Sequence, residues 1–346
     1  MGDVKNKKIA VLATGANGSC IAADLTKAGL DVSMIDQWPA HIEAIRANGL
    51  TIRTKQGEYN VKAKAYHLCD VCTLHDKFDF VLLTSKAYDS RWLTEFIKPY
   101  LADDGLIIAA QNCMTAEMLA EIVGPERTLG CVVELASQLF DPGIVQRSTL
   151  PEKTWFGVGA FHPAQQARIE DAAEVLRFAG KCDVSDDIIA AKWMKLIVNS
   201  MNQAMKALLG ATNEQVGKLE GAREVFLRSG EEALAAGQLM GHRIVPIFGL
   251  KPEDVQNTNQ LLEILLDKLT RDVGPTAINT MLQDHMRGRR TEVEMINGLV
   301  ASESRKHGRP TPVNDVIVEL THEIESGRLK PGIENFELVR QRLALA

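Results

Sequence analysis

The first apolar block along the chain, Lys8–Thr14 (KIAVLAT), is nearly continuous rather than alternating. A strand buried on both faces reads this way. Gly15-Ala16-Asn17-Gly18 follows, then a helical spacing to Ala28, which Gly29 stops in the C′ position, and then a second strand over Leu30–Ile35. Strand, glycine turn, helix and strand in about 30 residues make a βαβ unit. Apolar runs at Phe80–Thr84, Leu106–Ala110 and Leu129–Val133 predict further strands, with helices near 88–101 and 115–122 between them. That alternation predicts a parallel, doubly wound sheet of Rossmann type. Residues 138–160 read as hairpin strands extending the sheet, and a helix is predicted over 164–178.

The strand pattern ends around Asp183–Asp187. Beyond it, helical spacing recurs over 220–240, 252–271, 276–286, 292–306 and 312–325. The predicted fold is therefore α/β: a Rossmann-type, doubly wound sheet over 1–186 and an all-α domain over 187–346. The second domain is organised around 191–213, AKWMKLIVNSMNQAMKALLGATN, which is apolar almost all round. Such a helix is normally buried. Lys195, Asn199 and Asn202 recur along it at i, i+4 and i+7 and so share one face. A buried lysine is costly unless something pairs with it. The stripe therefore either reaches solvent or faces a polar cleft, and a lysine in such a cleft suits proton donation.

Composition narrows the class. At 346 residues two domains are the natural expectation. The net charge of −6 argues against nucleic acid and anionic membrane as partners. No apolar run approaches the roughly 20 residues of a spanning helix. MGDVKNKKIAVLAT lacks the long apolar segment of a signal peptide, which makes the cytoplasm the expected compartment. The six cysteines sit mostly in apolar company, as reduced thiols do. Cys69-Asp70-Val71-Cys72 has metal-knuckle spacing with no second pair, so a turn is expected there and no metal.

Four motifs carry chemistry. Ala13-Thr14-Gly15-Ala16-Asn17-Gly18 matches the dinucleotide fingerprint G-x-G-x-x-G with alanine for its first glycine. The glycines allow a tight turn, close approach to pyrophosphate and helix–strand packing, and the helix amino end favours an anion. The other reading is a tight turn that binds nothing. Asp36 ends the second strand, 18 residues past Gly18, where a carboxylate meets ribose hydroxyls and repels a 2′-phosphate. Gln37 and Trp38 follow, with no arginine, which favours NAD over NADP. Thr84-Ser85-Lys86 and Gln111-Asn112 lie just past strand carboxyl ends, where open α/β sheets bind ligands; the alternatives are a solvated lysine and a turn asparagine. Finally, Thr291 with Glu294 three residues on reads as a capping box opening a helix, and Glu292 falls in its first turn, where the dipole favours a carboxylate.

Together Gly15–Gly18, Thr84–Lys86, Gln111-Asn112, Lys195-Leu-Ile-Val-Asn199 and Met281–Asp284 leading to Thr291–Gly298 resemble the ketopantoate reductase (2-dehydropantoate 2-reductase) family over nearly the whole chain. The resemblance implies a Rossmann domain, a helical domain and a cleft between them. It places the proton-donating lysine at Lys195 and a catalytic glutamate near substrate and nicotinamide ribose at Glu292. Substrate contacts fall on Asn199, Asn213 and the hydroxyl of Thr280, with Asn202 and Gln203 where a further asparagine is common. Cofactor contacts fall on Ala13, Gly15, Ala16, Asn17, Gly18, Asp36, Lys86, Asn112, Ala136 and Glu292. Three departures stand out: Gln203, Ala277 for an asparagine ahead of the carboxylate-binding hydroxyl, and Gln37 for the arginine that meets the NADP 2′-phosphate. The segment 216–275, with Pro246-Ile-Phe-Gly249, is also longer than in compact members.

The implied activity is NAD(P)H-dependent reduction of a small 2-oxo acid, ketopantoate to pantoate, with a lysine as general acid. NADP is the family's usual cofactor, while Asp36 and Gln37 favour NAD. The alternatives are an NAD-linked D-2-hydroxy acid dehydrogenase for bulkier 2-oxo acids and a nucleotide-sensing protein without turnover. The expected partner is the small-molecule 2-oxo acid; a homodimer is allowed for.

Overall fold

The structure is a computed structural model that describes residues 4–256, 258–273 and 278–345. The chain divides into two compact units, one ending at Ile189 and one beginning at Ala190. In the first, the main strands are β1 (Lys8–Leu12), β2 (Asp31–Asp36), β5 (Lys64–His67), β6 (Phe78–Leu83), β7 (Leu101–Ala109), β8 (Thr128–Glu134), β11 (Trp155–Gly159) and β12 (Lys181–Val184). They form one sheet in the order β12-β11-β8-β7-β6-β1-β2-β5. From β5 to β8 all pairs are parallel, which is the doubly wound order with its reversal between β1 and β6. Helices α1 (Ala16–Lys27), α2 (Pro39–Asn48), α3 (Ser90–Ile97), α4 (Ala116–Val123) and α5 (Ile169–Leu176) complete the unit.

The apolar run of β1 is explained by its two neighbours. Ile9 and Val11 pack into the core formed with α1 and α5, while Ala10 and Leu12 pack into the core formed with α3 and α4. Helix α1 ends as Gly29 predicts. Gly29 sits at φ +82, its N–H donates to Thr26, and the Leu30 N–H donates to Leu25, a Schellman closure.

The hairpin reading of 138–160 needs correction. Only β11 joins the main sheet, and it runs antiparallel to β8. β9 (Ser137–Gln138) and β10 (Ile144–Arg147) do form an antiparallel pair, but β10 lies parallel to β3 (Leu50–Thr54). With β4 (Gly57–Val61) they make a second sheet, β4-β3-β10-β9. A buried ion pair ties this small sheet to α1. The Arg147 guanidinium donates to Asp24 at 2.6 Å, to the Thr149 carbonyl at 2.7 Å and to the Thr154 hydroxyl at 2.8 Å. The Tyr59 hydroxyl donates to the other Asp24 oxygen at 2.7 Å. Every strong group of the pair has a partner, which a buried charge requires.

The second unit contains, among the described residues, only helices: α6 (Ile188–Leu208), which starts just before it, α7 (Asn213–Gly217), α8 (Ala222–Leu239), α9 (Pro252–Gln256), α10 (Thr258–Val273), α11 (Thr280–Met286), α12 (Asn297–Lys306), α13 (Pro312–Glu325) and α14 (Asn335–Leu345). Trp193, Leu196, Ile197, Val198, Met201, Met205 and Leu208 are all buried, so α6 is the core of the bundle. Gly230 and Gly237 of α8 leave room for Met201 and Trp193; a Cβ at either position would strike those side chains. The Trp193 indole N–H donates to the Ala233 carbonyl at 3.0 Å. Asn297 donates to the Ser200 carbonyl and to Asn314, whose amide reaches Glu232, so one buried polar chain joins α6, α12, α13 and α8.

The capping box at Thr291 is not formed. Both the Thr291 N–H and its hydroxyl donate to Glu325 of α13 at 2.7 Å, and Glu294 pairs with His322 at 2.9 Å. Partners from α13 outcompete the local cap. The chain makes one 3-10 turn over Val293–Met295, and α12 begins at Asn297 rather than 292. Cys69 and Cys72 are exposed, unlike the buried Cys20, Cys113 and Cys131. Among the described residues no helix is long and apolar enough to cross a membrane.

Candidate active site

The glycine turn lies between β1 and α1, beside the sheet's reversal point. Ala13 adopts φ +61, the left-handed region in which an alanine carries strain and a glycine does not. This is the position where the fingerprint has its first glycine. The Gly15 N–H closes the turn onto the Ala13 carbonyl at 2.8 Å, and Gly15 precedes α1 with no side chain capping the helix. The two remaining glycines do different things. A Cβ on Gly15 would meet no protein atom within 4 Å, which leaves open space at the helix amino end. A Cβ on Gly18 would collide with the Thr84 hydroxyl, which donates to the Leu12 and Ala13 carbonyls at 3.1 and 2.9 Å. Thr84 and Gly18 thus lock β1 to β6, while Gly15 stays clear for a ligand. The buried Thr14 hydroxyl in the same turn has no hydrogen-bond partner.

Around this turn, Asn17 accepts the Ser137 hydroxyl at 2.6 Å. The neighbouring Ala136 is held by its own N–H on Thr149 and by its carbonyl, which accepts from Ser148 and Thr149. Asp36 is buried at the end of β2, with one oxygen accepting the Trp38 N–H at 2.7 Å. Lys86 and Asn112 follow β6 and β7, both half-buried. Gln111 is a brace: its amide nitrogen donates to the Ser85 and Ser90 hydroxyls at 2.9 and 2.6 Å, and its oxygen accepts from Thr115 at 2.9 Å. Ala13, Gly15, Ala16, Asn17, Gly18, Asp36, Lys86, Asn112 and Ala136 therefore all lie at or beyond strand carboxyl ends of one sheet. An open glycine, a steric glycine and an unpartnered hydroxyl fit a dinucleotide pyrophosphate.

In the second unit the polar stripe of α6 is buried, which rules out the solvated reading. Lys195 is 9% exposed, Asn199 2% and Glu292 3%. The Lys195 amine lies 4.7 Å from the centre of the Phe248 ring. Phe248 itself sits at φ +59, a conformation rare for an aromatic residue. It belongs to the long 216–275 segment, so that segment brings an aromatic ring against the lysine. Asn199 accepts the Gln203 amide at 3.0 Å, and Gln203 accepts the Thr280 hydroxyl at 2.7 Å. Asn279, which caps α11, also donates to the Gln203 carbonyl at 2.8 Å. The structure thus brings Asn199, Gln203 and Thr280 into one chain of hydrogen bonds. Asn202 turns its amide onto the Val198 carbonyl of its own helix. The buried Asn199 amide nitrogen has no partner. Asn213 accepts from Lys206 at 2.6 Å. Ala277 lies outside the described residues.

Sequence reasoning passed over Phe248, Asn279 and Lys206. Lys206 had a signal, since it is i+11 from Lys195 and continues the stripe. Phe248 was marked only as part of Pro246-Ile-Phe-Gly249 in the long segment, with no role of its own, because its place depends on how a loop folds back.

A doubly wound sheet with this turn, in one chain with a helical unit carrying a buried lysine and amides, defines the class of dinucleotide-dependent oxidoreductases. Comparison with known proteins refines it. The family described as "Ketopantoate reductase PanE/ApbA" matches residues 9–160, and its C-terminal counterpart matches residues 187–325. The chain belongs to the ketopantoate reductase family. A 2-dehydropantoate 2-reductase of Pyrococcus horikoshii is 27% identical, the match covering 92% of this chain and 98% of that relative. One of Archaeoglobus fulgidus is also 27% identical, covering 93% and 99%. The crystal structure of a PanE/ApbA family ketopantoate reductase from Ralstonia eutropha superposes with a TM-score of 0.78 at 24% identity, covering 93% and 99%. A D-mandelate dehydrogenase with NADH and anilino(oxo)acetate gives a TM-score of 0.82 at 21% identity, covering 92% and 99%.

Proposed function

We propose that this protein reduces a small 2-oxo acid to the 2-hydroxy acid with NAD(P)H, with ketopantoate as the leading candidate substrate. The observation that carries the reading is the buried Lys195 on a greasy helix, one and two turns from an unpartnered Asn199 amide and from the Gln203–Thr280 pair. The glycine turn, Asp36, Lys86, Asn112 and Ala136 would hold the dinucleotide. When bound, it supplies the hydride that reduces the carbonyl carbon. Lys195 donates a proton to the carbonyl oxygen as negative charge develops there, help typically worth 10²- to 10⁴-fold. Asn199 donates to the substrate from its free amide hydrogens. Thr280 meets the substrate carboxylate, and Glu292 a substrate hydroxyl. Asp36 with Gln37, in place of an arginine, favours NADH over NADPH.

A second reading is an NAD-linked D-2-hydroxy acid dehydrogenase for bulkier substrates. The Phe248 ring against Lys195 and Gln203 in place of an asparagine favour it, and the D-mandelate dehydrogenase likeness supports its fold. Turnover on ketopantoate, 2-oxoisocaproate and benzoylformate with each reduced cofactor separates the two. Reduction of none of them, with NADH still bound tightly, would replace both readings by a nucleotide-sensing protein.

A further inference from the structure

Two hydrogen-bonded paths tie the glycine turn and its helix to the small sheet, and the longer one fixes the place of a proton. The Gly143 N–H, in the connection between β9 and β10, donates to His41 Nδ1 of α2 at 3.0 Å. His41 Nε2 lies 3.1 Å from the Ser19 hydroxyl of α1, which donates to the Thr14 carbonyl at 2.9 Å. A backbone N–H can only donate and a carbonyl can only accept. Nδ1 is therefore the acceptor, the hydroxyl hydrogen goes to Thr14, and the ring hydrogen sits on Nε2, donated to Ser19. Only the neutral imidazole satisfies all of these bonds. Thr14, Ser19 and His41 are fully buried. The shorter path is the Ser137 hydroxyl of β9 on Asn17 at 2.6 Å. His41 also stacks on Trp38, ring centres 5.7 Å apart, and the Trp38 N–H donates to Asp36. One buried imidazole thus reaches toward the turn on one side and toward the carboxylate ending β2 on the other.

The turn that this path supports is strained. Ala13 holds φ +61, a left-handed conformation that costs an alanine and not a glycine. Such a conformation persists only where its surroundings over-determine it. From the sheet side, the Ala13 N–H donates to the Ile35 carbonyl at 2.8 Å and the Ala13 carbonyl accepts from the Thr84 hydroxyl. From the helix side, the next carbonyl, that of Thr14, is held through Ser19 and His41. We propose that Ser19 and His41 are positioning residues for dinucleotide binding, holding the glycine turn in the shape that an alanine at position 13 would otherwise relax. They act through the Thr14 backbone. The proposal rests on the reading of this turn as the dinucleotide site.

The test measures the Kd for NADH and NADPH, the thermal midpoint, and kcat on the best 2-oxo acid. The proteins are wild type, Ser19→Ala, His41→Leu, Ala13→Gly and the double variant Ser19→Ala with Ala13→Gly. Ser19→Ala and His41→Leu are expected to raise the Kd of the preferred cofactor about three- to tenfold, with kcat at saturating cofactor changed by less than about twofold. Ala13→Gly should move the wild-type Kd by less than about twofold, yet restore most of the affinity lost in Ser19→Ala, because a glycine needs no outside support there. Nitrogen NMR of the histidine rings should place the His41 hydrogen on Nε2. A Ser19→Ala protein that melts earlier but binds the cofactor as wild type does overturns the proposal, since the bonds would then serve stability alone. An equal effect of Ala13→Gly in both backgrounds overturns it too, as does a hydrogen on Nδ1. A wild type that binds neither cofactor would instead overturn the dinucleotide reading.

Discussion

Replacing Lys206 by methionine changes how stability depends on pH, and its sign follows from the burial of the amine. The lysine titrates near 8 in the folded chain and at 10.5 in the unfolded one, with burial as the cause. Below pH 8 both states carry the proton, and the folded state bears the full cost of a buried charge. Between 8 and 10.5 the unfolded chain binds more protons than the folded one, so stability rises with pH. Integrating over pH 7 to 9.5, wild type gains about 2 kcal/mol from this residue, and over the whole range about 3 kcal/mol. Lys206→Met removes that gain and leaves every other titrating group in place. Urea unfolding at pH 7, 8, 9 and 9.5, with linear extrapolation, reads the difference directly. The wild-type stability should rise against the variant by about 2 kcal/mol across the series. Any fixed cost of losing the Asn213 hydrogen bond offsets the two curves without changing their relative slope. Parallel curves would refute the reasoning, because they would mean that the lysine keeps its ordinary titration in the folded chain.

Further outcomes follow from the glycine turn and the buried ion pair. Gly15→Ala should raise the Kd for NADH about tenfold or more with little change in thermal midpoint, since the new methyl enters ligand space and touches no protein atom. Gly18→Ala should do both, losing about 1–3 kcal/mol of stability as the methyl displaces Thr84. Fluorescence titration and calorimetry check the contrast; equal behaviour of the two variants would contradict it. Arg147→Met should cost about 3–5 kcal/mol in urea unfolding, because it strands the buried Asp24 carboxylate. Adding Asp24→Leu should recover much of that loss.

Much of the fold was legible in the chain because strong, periodic segments carry their own signal. The unbroken apolar run of β1 is buried on both faces, and the turn after it has glycines for two separate physical reasons. The greasy helix read within 191–213 is α6, the core of its bundle; the sequence left open whether its polar stripe reached solvent or faced a polar cleft, and the stripe is buried. What escaped was set by partners distant in sequence. The small sheet β4-β3-β10-β9 pairs two segments nearly a hundred residues apart, and neither carries a long apolar run. Thr291 and Glu294 have the spacing of a cap, yet Glu325 and His322 from α13 take them. Phe248 reaches Lys195 from a loop whose path no local pattern encodes. Within the site, spacing put Asn202 on the face of Lys195 and Asn199, yet it is Gln203 that joins Asn199 and Thr280, while Asn202 bonds its own backbone.

The most direct measurement of the central claim is the single-turnover rate of hydride transfer from bound NADH or NADPH to the best 2-oxo acid, in wild type and Lys195→Ala, beside the Kd for the same cofactor. The account predicts a loss of about 10²- to 10⁴-fold in the transfer rate with Kd changed by less than about threefold. A transfer rate that survives the substitution, or one that falls only in step with cofactor affinity, would contradict it.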